Sequence, residues 1–253
     1  MEESTARCPA CGARVSERLG GGLCGGCLVA LALEQDDADP TYRILAVLDG
    51  TDTRTIYLAE DEEARRLVTV DVVRAAAAPA MTPGLFDARL AELVTLRHPG
   101  IVPVLGGRIT SGGDYYVVSE YIPGRTAAAW GISAIPDPRE VASVIERVCG
   151  AVRYAHAVHV VHGRLGPSSV VLSARSGGAM PYVGGYGVCE GRPVEDDDVA
   201  GLGRVLAALA QRPTLAAGVA PVAERATRAR GAGGFASVAE FCEAAMAACG
   251  AGL

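Results

Sequence analysis

The first half of the chain carries apolar residues at alternate positions or in short runs, separated by polar turns. Runs of this kind, rich in β-branched and aromatic residues, predict strands. The predicted strands cover residues 42–48, 55–59, 67–73, 101–105 and 115–121. Between the third and fourth strands, four apolar residues have the spacing of one helical face. These are Phe86, Leu90, Leu93 and Leu96. The pattern therefore predicts five strands with one inserted helix.

After Pro123 and Gly124 the apolar residues change to a helical period. Helices are predicted over residues 139–158, 198–210 and 238–248, and the acidic run 195–197 is predicted to be a solvated loop. A strand-rich half followed by a helical half indicates an α+β domain with two lobes. We place the N-lobe at 42–123 and the C-lobe at 124–250.

Composition narrows the chemistry that the chain can perform. All 23 basic side chains are Arg, and the 253 residues include neither Lys nor Asn. A Schiff-base lysine and a P-loop lysine are therefore excluded. The net charge of −6 argues against a nucleic-acid partner, since such proteins usually carry a basic excess. No signal peptide or membrane-spanning segment is recognisable, so we expect a cytoplasmic protein without membrane contact.

Residues 1–33 form a small module rich in Cys and Gly, and the acidic residues 34–41 follow it as a linker. Two Cys-x-x-Cys pairs, twelve residues apart, supply four thiolates. They are Cys8, Cys11, Cys24 and Cys27. Two such pairs suit a closed, tetrahedral structural zinc site. A pair of redox Cys-x-x-Cys motifs is the alternative, but the βαβ context typical of those motifs is absent. The remaining cysteines are interpreted as small buried apolar residues.

Residues 42–250 resemble a bacterial serine/threonine protein kinase domain, and zinc-ribbon-like modules also precede such domains. The resemblance is carried by segments in the family's order and spacing. They include Leu-Arg-His-Pro at 96–99, Tyr-Tyr-Val-Val-Ser-Glu-Tyr at 115–121, Tyr-Ala-His at 154–156, His-Gly-Arg-Leu at 162–165, Gly-Tyr-Gly at 185–187 and Asp-Val-Ala-Gly at 198–201. It implies a five-stranded N-lobe with one helix and a helical C-lobe.

The positions that carry catalysis in this family hold other residues here. Phosphoryl transfer uses a lysine paired with a glutamate, a catalytic aspartate, and asparagine and aspartate ligands for magnesium. The resemblance places Asp71 at the lysine, Arg89 at the glutamate, Arg164 at the catalytic aspartate, Ser169 at the asparagine and Gly185 at the second magnesium ligand. Asp49, Thr51 and Arg54 replace the glycines of the phosphate-binding loop. Only 188–197 remain of the activation segment. The resemblance therefore implies a pseudokinase.

A vestige of the nucleotide cleft is implied at six positions. They are Leu48, Ile56, Thr69, Glu120, Ile122 and Val171. Thr69 replaces the small alanine of the adenine pocket, and nothing remains to hold magnesium. We expect the binding of ATP and magnesium to be weak or absent.

Other family positions suggest that the fold is maintained for its shape. His162 and Tyr186 occupy hydrophobic spine positions, and Asp198 can accept backbone N–H bonds from the turn at His162. A decaying remnant is the alternative, although it should lose packing as readily as chemistry. Asp71 and Arg89 suggest a salt bridge in which the strand carries the negative charge and the helix the positive one, the reverse of the family's lysine–glutamate pair. The alternative is that both side chains face solvent.

These features favour a non-catalytic regulatory or scaffolding module in signalling, whose partner is a protein such as an active kinase or its substrate. The alternative is a diverged kinase-fold enzyme with residual nucleotide binding or other transfer chemistry. An active kinase with misaligned motifs is nearly excluded, because the chain has no Lys.

Overall fold

The computed structural model describes residues 42–250 apart from 111, 135, 176–177 and 189–192. The predicted cysteine module and the linker lie outside these residues. The described chain divides into two compact units. One holds the residues up to Leu90 together with Leu105–Tyr121, and the other holds Ala91–Val104 and the residues from Ile122 onward.

The first unit is built on a sheet of five strands with the order β1-β2-β3-β5-β4. The strands are β1 (Tyr42–Gly50), β2 (Arg54–Asp61), β3 (Arg66–Val73), β4 (Val104–Ile109) and β5 (Tyr115–Glu120), and the helix is α1 (Pro83–Leu93). β2 pairs antiparallel with β1 and β3, and β3 pairs antiparallel with β5. This is the predicted arrangement of five strands and one helix. The fourth strand lies three residues later than expected, because the peptide after His98 forms a turn before β4 begins.

The sequence of β3 explains how this unit buries its core. Val68 and Val70 point to one face, where they join a cluster of buried side chains. Its members are Tyr57, Ala59, Val68, Val70, Tyr116 and Val118. Because successive strand residues alternate between faces, Thr69 and Asp71 lie on the opposite face. The sheet thus presents one apolar face and one face that carries polar side chains among buried apolar ones.

The second unit is mainly helical and contains a small sheet. Its elements are β6 (Arg125–Thr126), α2 (Ala127–Ala134), α3 (Pro138–Ala157), β7 (Val170–Arg175), β8 (Gly178–Val183), α4 (Glu195–Leu209), α5 (Pro213–Ala226) and α6 (Val238–Gly250). The order of the small sheet is β6-β7-β8. α3 packs on α4, α6 and β8, and α5 packs on α4 and α6.

α3 shows how local sequence fixes a helix start. The Asp137 carboxylate accepts N–H bonds from Arg139 at 2.8 Å and from Glu140 at 2.9 Å, and Pro138 occupies the first turn, where its missing N–H has no cost. Its apolar face is fully buried. The predicted helix 139–158 is therefore confirmed to within one residue at each end.

The acidic run 195–197 was predicted to be a solvated loop, and this prediction is wrong. These residues form the first turn of α4, where carboxylates are favoured by the helix dipole. Asp197 accepts the N–H of Val194 at 2.9 Å. Arg230 donates to Glu195 at 2.7 Å and to Asp196 at 2.5 Å.

No helix among the described residues is long and apolar enough to cross a membrane.

Candidate functional site

The residue at the family's lysine position is held in an ion pair within the first sheet. Asp71 lies near the middle of β3, and its side chain is only 11% exposed. Arg54, at the start of β2, donates from Nε to Oδ1 of Asp71 at 2.5 Å and from Nη2 to Oδ2. The two side chains form a bidentate fork, the strongest arrangement for an arginine and a carboxylate. The negative charge of Asp71 is therefore compensated by a neighbouring strand.

The sequence left open whether Asp71 pairs with Arg89 or both side chains face solvent, and the structure shows a different partner for Asp71. Both carboxylate oxygens of Asp71 are engaged by Arg54 instead. The register explains the choice, because Ile56 pairs directly with Asp71 and Arg54 is two residues away on the same face. Arg89 lies half-buried on α1. The sequence analysis identifies Arg54 only as a replaced glycine, and its cross-strand position relative to Asp71 is the signal that could identify it as the partner.

The turn between β1 and β2 corresponds to the family's phosphate-binding loop. Gly50 donates its N–H to the Asp49 carboxylate at 2.9 Å, and Thr51 donates its N–H to the carbonyl of Arg54 at 2.7 Å. The Thr51 hydroxyl accepts the N–H of Arg54 at 3.2 Å. Phosphate-binding loops use free backbone N–H groups as anion ligands. Here these three N–H groups are engaged within the turn.

The predicted nucleotide-cleft residues fall in both units. Leu48 is exposed on β1, Ile56 lies on β2, and Thr69 donates its hydroxyl to the carbonyl of Ser119 at 3.4 Å. Glu120 ends β5. In the second unit, Ile122 lies just before β6, and Val171 of β7 pairs with Tyr182 and Thr126. The first sheet therefore gathers Ile56, Thr69 and Glu120 on adjacent strands.

In the second unit, the loop 162–169 stands where the family has its catalytic loop. Asp198 of α4 is fully buried and accepts the backbone N–H groups of His162 at 2.8 Å and Gly163 at 2.7 Å. His156 of α3 contacts the same carboxylate through Nε2 at 2.8 Å. The predicted bonds from the His162 turn to Asp198 are confirmed.

His162 fixes the loop from its other side. Its Nδ1 accepts the N–H of Arg164 at 3.2 Å, and its Nε2 lies 2.9 Å from the carbonyl of Gly184. These two contacts fit the neutral tautomer with the proton on Nε2. The His162 ring packs against Tyr186 with centroids 4.5 Å apart, and both residues are buried. The two predicted spine residues are therefore in contact.

Two positions that the resemblance aligns with catalytic residues, Ser169 and Gly185, lie in the local backbone network of this unit. Ser169 donates its N–H to the carbonyl of Gly166 at 2.9 Å and its hydroxyl to the carbonyl of Arg164 at 3.3 Å. Gly184 donates its N–H to the carbonyl of Ser169 at 2.8 Å. Gly185 has a φ of 76°, in the left-handed region that glycine favours. The hydroxyl at the family's asparagine position thus helps to close the loop.

α4 also supports the loop through a close backbone approach. A Cβ at Gly201 would lie 2.5 Å from the carbonyl oxygen of Leu165, so only glycine fits at this point of the helix. Arg204, one turn later, donates to the same carbonyl at 2.9 Å. α4 therefore holds the loop through Asp198, Gly201 and Arg204.

His98 and the cysteines of the second unit lie outside this loop. Nδ1 of His98 accepts the N–H of Gly100 at 3.0 Å, and burial lowers the pKa of its imidazole. Cys149 and Cys249 are buried as expected, whereas Cys242 is half-buried. The described residues contain no group of three or more His, Cys, Asp or Glu side chains able to hold a metal ion. The four predicted zinc ligands lie outside the described residues.

Curated bacterial kinases are similar to this chain in sequence. The serine/threonine-protein kinase PrkC of Bacillus subtilis (strain 168) is 29% identical over 135 residues, which are 52% of this chain and 20% of PrkC. The serine/threonine-protein kinase Pkn1 of Myxococcus xanthus is 29% identical over 146 residues, which are 56% of this chain and 20% of Pkn1. The chain spans about a fifth of the length of these relatives. No protein-family profile matches it.

Solved protein kinase domains share the fold. A structure of the Mycobacterium tuberculosis PknI kinase domain has a TM-score of 0.65 and 20% identity, covering 83% of this chain and 96% of that chain. Rad53 residues 1–466 in complex with AMP-PNP has a TM-score of 0.62 and 12% identity, covering 81% and 65%. The chain therefore has a protein kinase-like α+β fold, and its sequence is similar to bacterial serine/threonine kinases.

Proposed function

We propose that this protein is a catalytically inactive protein kinase homologue that acts as a regulatory or scaffolding module in signalling. The observation that carries the proposal is the bidentate pair between Asp71 and Arg54. In a kinase, the strand position is a lysine that contacts the nucleotide phosphates. Here it is a carboxylate, and Arg54 of the same sheet compensates its charge.

The energetics of this pair work against phosphate binding. A polyphosphate at this position would be repelled by Asp71 unless Arg54 turned toward the phosphate. That rotation would leave the Asp71 carboxylate unpaired. The Asp71 side chain is only 11% exposed, and an unpaired charge at such a buried position is strongly unfavourable. The adjacent turn adds to this cost, because the N–H groups of Gly50 and Thr51 already have acceptors.

The retained contacts support a binding function. The loop at His162 keeps its attachment to Asp198, Gly201 and Arg204, although Arg164 stands at the position of the catalytic aspartate. A loop that is rigid but lacks a general base can present a fixed surface without transferring phosphate. We propose that this surface binds a protein, such as an active kinase or its substrate, and shifts its conformational equilibrium.

The proposal is tested by nucleotide binding and phosphoryl transfer on the full chain. Thermal shift is measured with ATP and magnesium, and in parallel with inorganic tripolyphosphate and magnesium. The tripolyphosphate arm reveals anion binding by arginines that does not involve adenine. We expect no stabilisation at sub-millimolar ATP beyond the tripolyphosphate effect, and no transfer of γ-phosphate to the chain or to a general serine/threonine substrate.

An active bacterial serine/threonine kinase domain, assayed alongside, serves as the positive control. Adenine-dependent stabilisation of this chain together with phosphoryl transfer would overturn the proposal. Stabilisation with turnover of ATP to another product would favour a diverged enzyme. A stable complex recovered by affinity purification, identified by mass spectrometry and reconstituted from purified components, would support the regulatory function.

A further inference from the structure

The end of β1 carries the single Asp–Gly dipeptide of the chain, Asp49–Gly50. The chain has no Asn, so no Asn–Gly sequence competes with it. An aspartyl side chain reacts most readily with the main chain where glycine follows, because glycine places no Cβ beside the attacking amide nitrogen. Both residues are exposed to solvent. The sequence analysis identifies Asp49 only as a replaced glycine of the phosphate-binding loop.

The structure brings the two reacting groups together. The N–H of Gly50 donates to Oδ1 of Asp49 at 2.9 Å. Because Oδ1 is bonded to Cγ, this contact holds the amide nitrogen of Gly50 close to the carboxyl carbon of Asp49. Groups that react within one chain do so most easily when they are already held in contact before the bond forms.

The space around Gly50 and the second aspartate of the turn provide matched comparisons. A Cβ at Gly50 would have Cγ2 of Thr55 as its nearest neighbour at 3.5 Å, an ordinary contact, so alanine fits at this position. Asp52 lies in the same turn and is also exposed, but the β-branched Thr53 follows it. The turn therefore holds one aspartate beside an open amide nitrogen and one beside a hindered amide nitrogen.

We propose that Asp49 is a modification site at which the chain isomerises spontaneously to isoaspartate. The Gly50 nitrogen attacks Cγ of the neutral carboxyl group and forms a C–N bond. The nitrogen loses its proton and Cγ loses its hydroxyl, so one water leaves as a succinimide ring closes. Water then opens the ring. If the Cγ–N bond breaks, aspartate is restored; if the bond from nitrogen to the backbone carbon breaks, Gly50 stays attached through Cγ as isoaspartate. No atom is gained or lost overall.

The isomer changes the turn that precedes Arg54. Isoaspartate adds one methylene to the main chain and leaves a free carboxylate on Cα. Gly50 pairs with Thr55 across the hairpin, and Thr51 donates its N–H to the carbonyl of Arg54 at 2.7 Å. An extra main-chain carbon beside Gly50 is incompatible with this register, so the isomer should unfold at a lower temperature. The modification is independent of nucleotide binding and of the proposed function.

The test is peptide mapping after the full chain has been incubated for weeks at physiological temperature in mildly acidic buffer. Trypsin releases residues 44–54 as one peptide, which contains both Asp49 and Asp52. Electron-transfer fragmentation cleaves the Cα–Cβ bond of isoaspartate and so shows which of the two has isomerised. We expect a second peptide of unchanged mass, with isoaspartate at position 49 and aspartate at position 52. An isoaspartate methyltransferase with a labelled methyl donor should label this peptide.

A synthetic peptide of residues 44–54 is the positive control, and incubation continues until the peptide has isomerised at position 49. In the full chain, Gly50→Ala should lower the rate roughly tenfold, because its Cβ hinders the attacking nitrogen. Asp49→Glu should abolish the reaction at this position, since it would require a six-membered ring. Asp52→Glu should leave the rate at Asp49 unchanged. Circular dichroism checks that each variant is folded.

Three results would overturn the proposal. The first is a folded chain whose Asp49 stays unmodified while the synthetic peptide isomerises. The second is isomerisation at Asp52 at the same rate as at Asp49, and the third is a Gly50→Ala variant that isomerises as fast as the wild type.

Discussion

At the residue scale, Asp71 shows how a kinase-like sheet accommodates a reversed charge. A carboxylate in the middle of a half-buried strand needs a cation or a set of hydrogen-bond donors. Since the chain has no Lys, the cation must be an arginine, and Arg54 reaches Asp71 from the adjacent strand. Its planar guanidinium satisfies both carboxylate oxygens at once, which a lysine cannot do.

We predict that Arg54 and Asp71 are energetically coupled, as a double-mutant cycle can measure. Arg54→Met leaves a largely buried carboxylate unpaired and should lower the free energy of unfolding by about 2 kcal/mol. Removing both charges with Arg54→Met and Asp71→Asn should recover part of this loss, giving a coupling of roughly 1–2 kcal/mol. Urea unfolding followed by circular dichroism provides the measurement.

The pair between Arg43 and Glu60 is the matched control, because it joins two adjacent strands of the same sheet at its surface. Exposed pairs of this kind contribute little, so its cycle should give a coupling within about 0.5 kcal/mol of zero. Equal coupling in the two cycles would show that the position of Asp71 has no special role.

At the element scale, the most extensively bonded feature of the candidate site is the attachment of the loop at His162 to α4. One buried carboxylate, Asp198, collects two backbone donors and the His156 imidazole. Two backbone N–H groups that donate to one carboxylate fix the orientation of the peptide planes in the loop. The side chain of the next residue, Arg164, takes no part in these two bonds, so the loop would be held in the same way with an aspartate at that position.

We predict that Asp198→Ala lowers the free energy of unfolding of the full chain by about 3 kcal/mol, because it leaves one buried and two partly buried donors without their acceptor. His156→Gln removes only a side-chain contact and should cost about 1 kcal/mol. Fluorescence of Trp130, the single tryptophan, follows the unfolding from within the same unit. Asp87→Asn, at an exposed site on α1, should be neutral. A neutral Asp198→Ala variant would refute the attachment.

The elements that the sequence predicted correctly are those with an uninterrupted period. α3 buries one face along its whole length, and β2 alternates between buried and half-buried residues over 57–61. Three elements that the pattern did not predict, β8, α5 and α2, contain residues that normally break structure. β8 carries Pro181, which is tolerated because β8 is the edge of its sheet. α5 contains Pro221 in its interior.

The sequence pattern also fails to predict helix α2 and the pairing of residues in the candidate site. α2 holds Gly131, which lowers its predicted helicity but allows a close approach: a Cβ there would lie 2.1 Å from the carbonyl oxygen of Ala208. Which arginine neutralises Asp71 depends on strand register. Period and motif spacing identify single positions, whereas such pairs are determined by tertiary structure.

At the scale of the whole molecule, the fold of protein kinase domains is kept although the sequence differs widely from theirs. The chain keeps a kinase-like fold at about a fifth sequence identity to solved kinase domains. Its buried positions are supplied largely by Val, Leu and Ala, while Asp71, Arg89 and Arg164 stand at the positions that the resemblance aligns with phosphoryl transfer. Selection for a surface rather than for turnover would produce this separation, and it agrees with the proposed regulatory function.

The N-terminal cysteines give the whole molecule a second, independent source of stability if they bind zinc as the sequence predicts. We expect about one equivalent of zinc in the purified full chain, measured by plasma mass spectrometry. Cys11→Ser should remove most of it, since a closed site needs all four thiolates, while Cys249→Ser serves as the control and should retain it.

Because metal binding and folding of such modules are linked, zinc removal should expose residues 1–33 to protease. The segment 42–250 has its own buried cores, so it should resist the same protease. A metal-free chain whose residues 1–33 still resist digestion would contradict the zinc prediction.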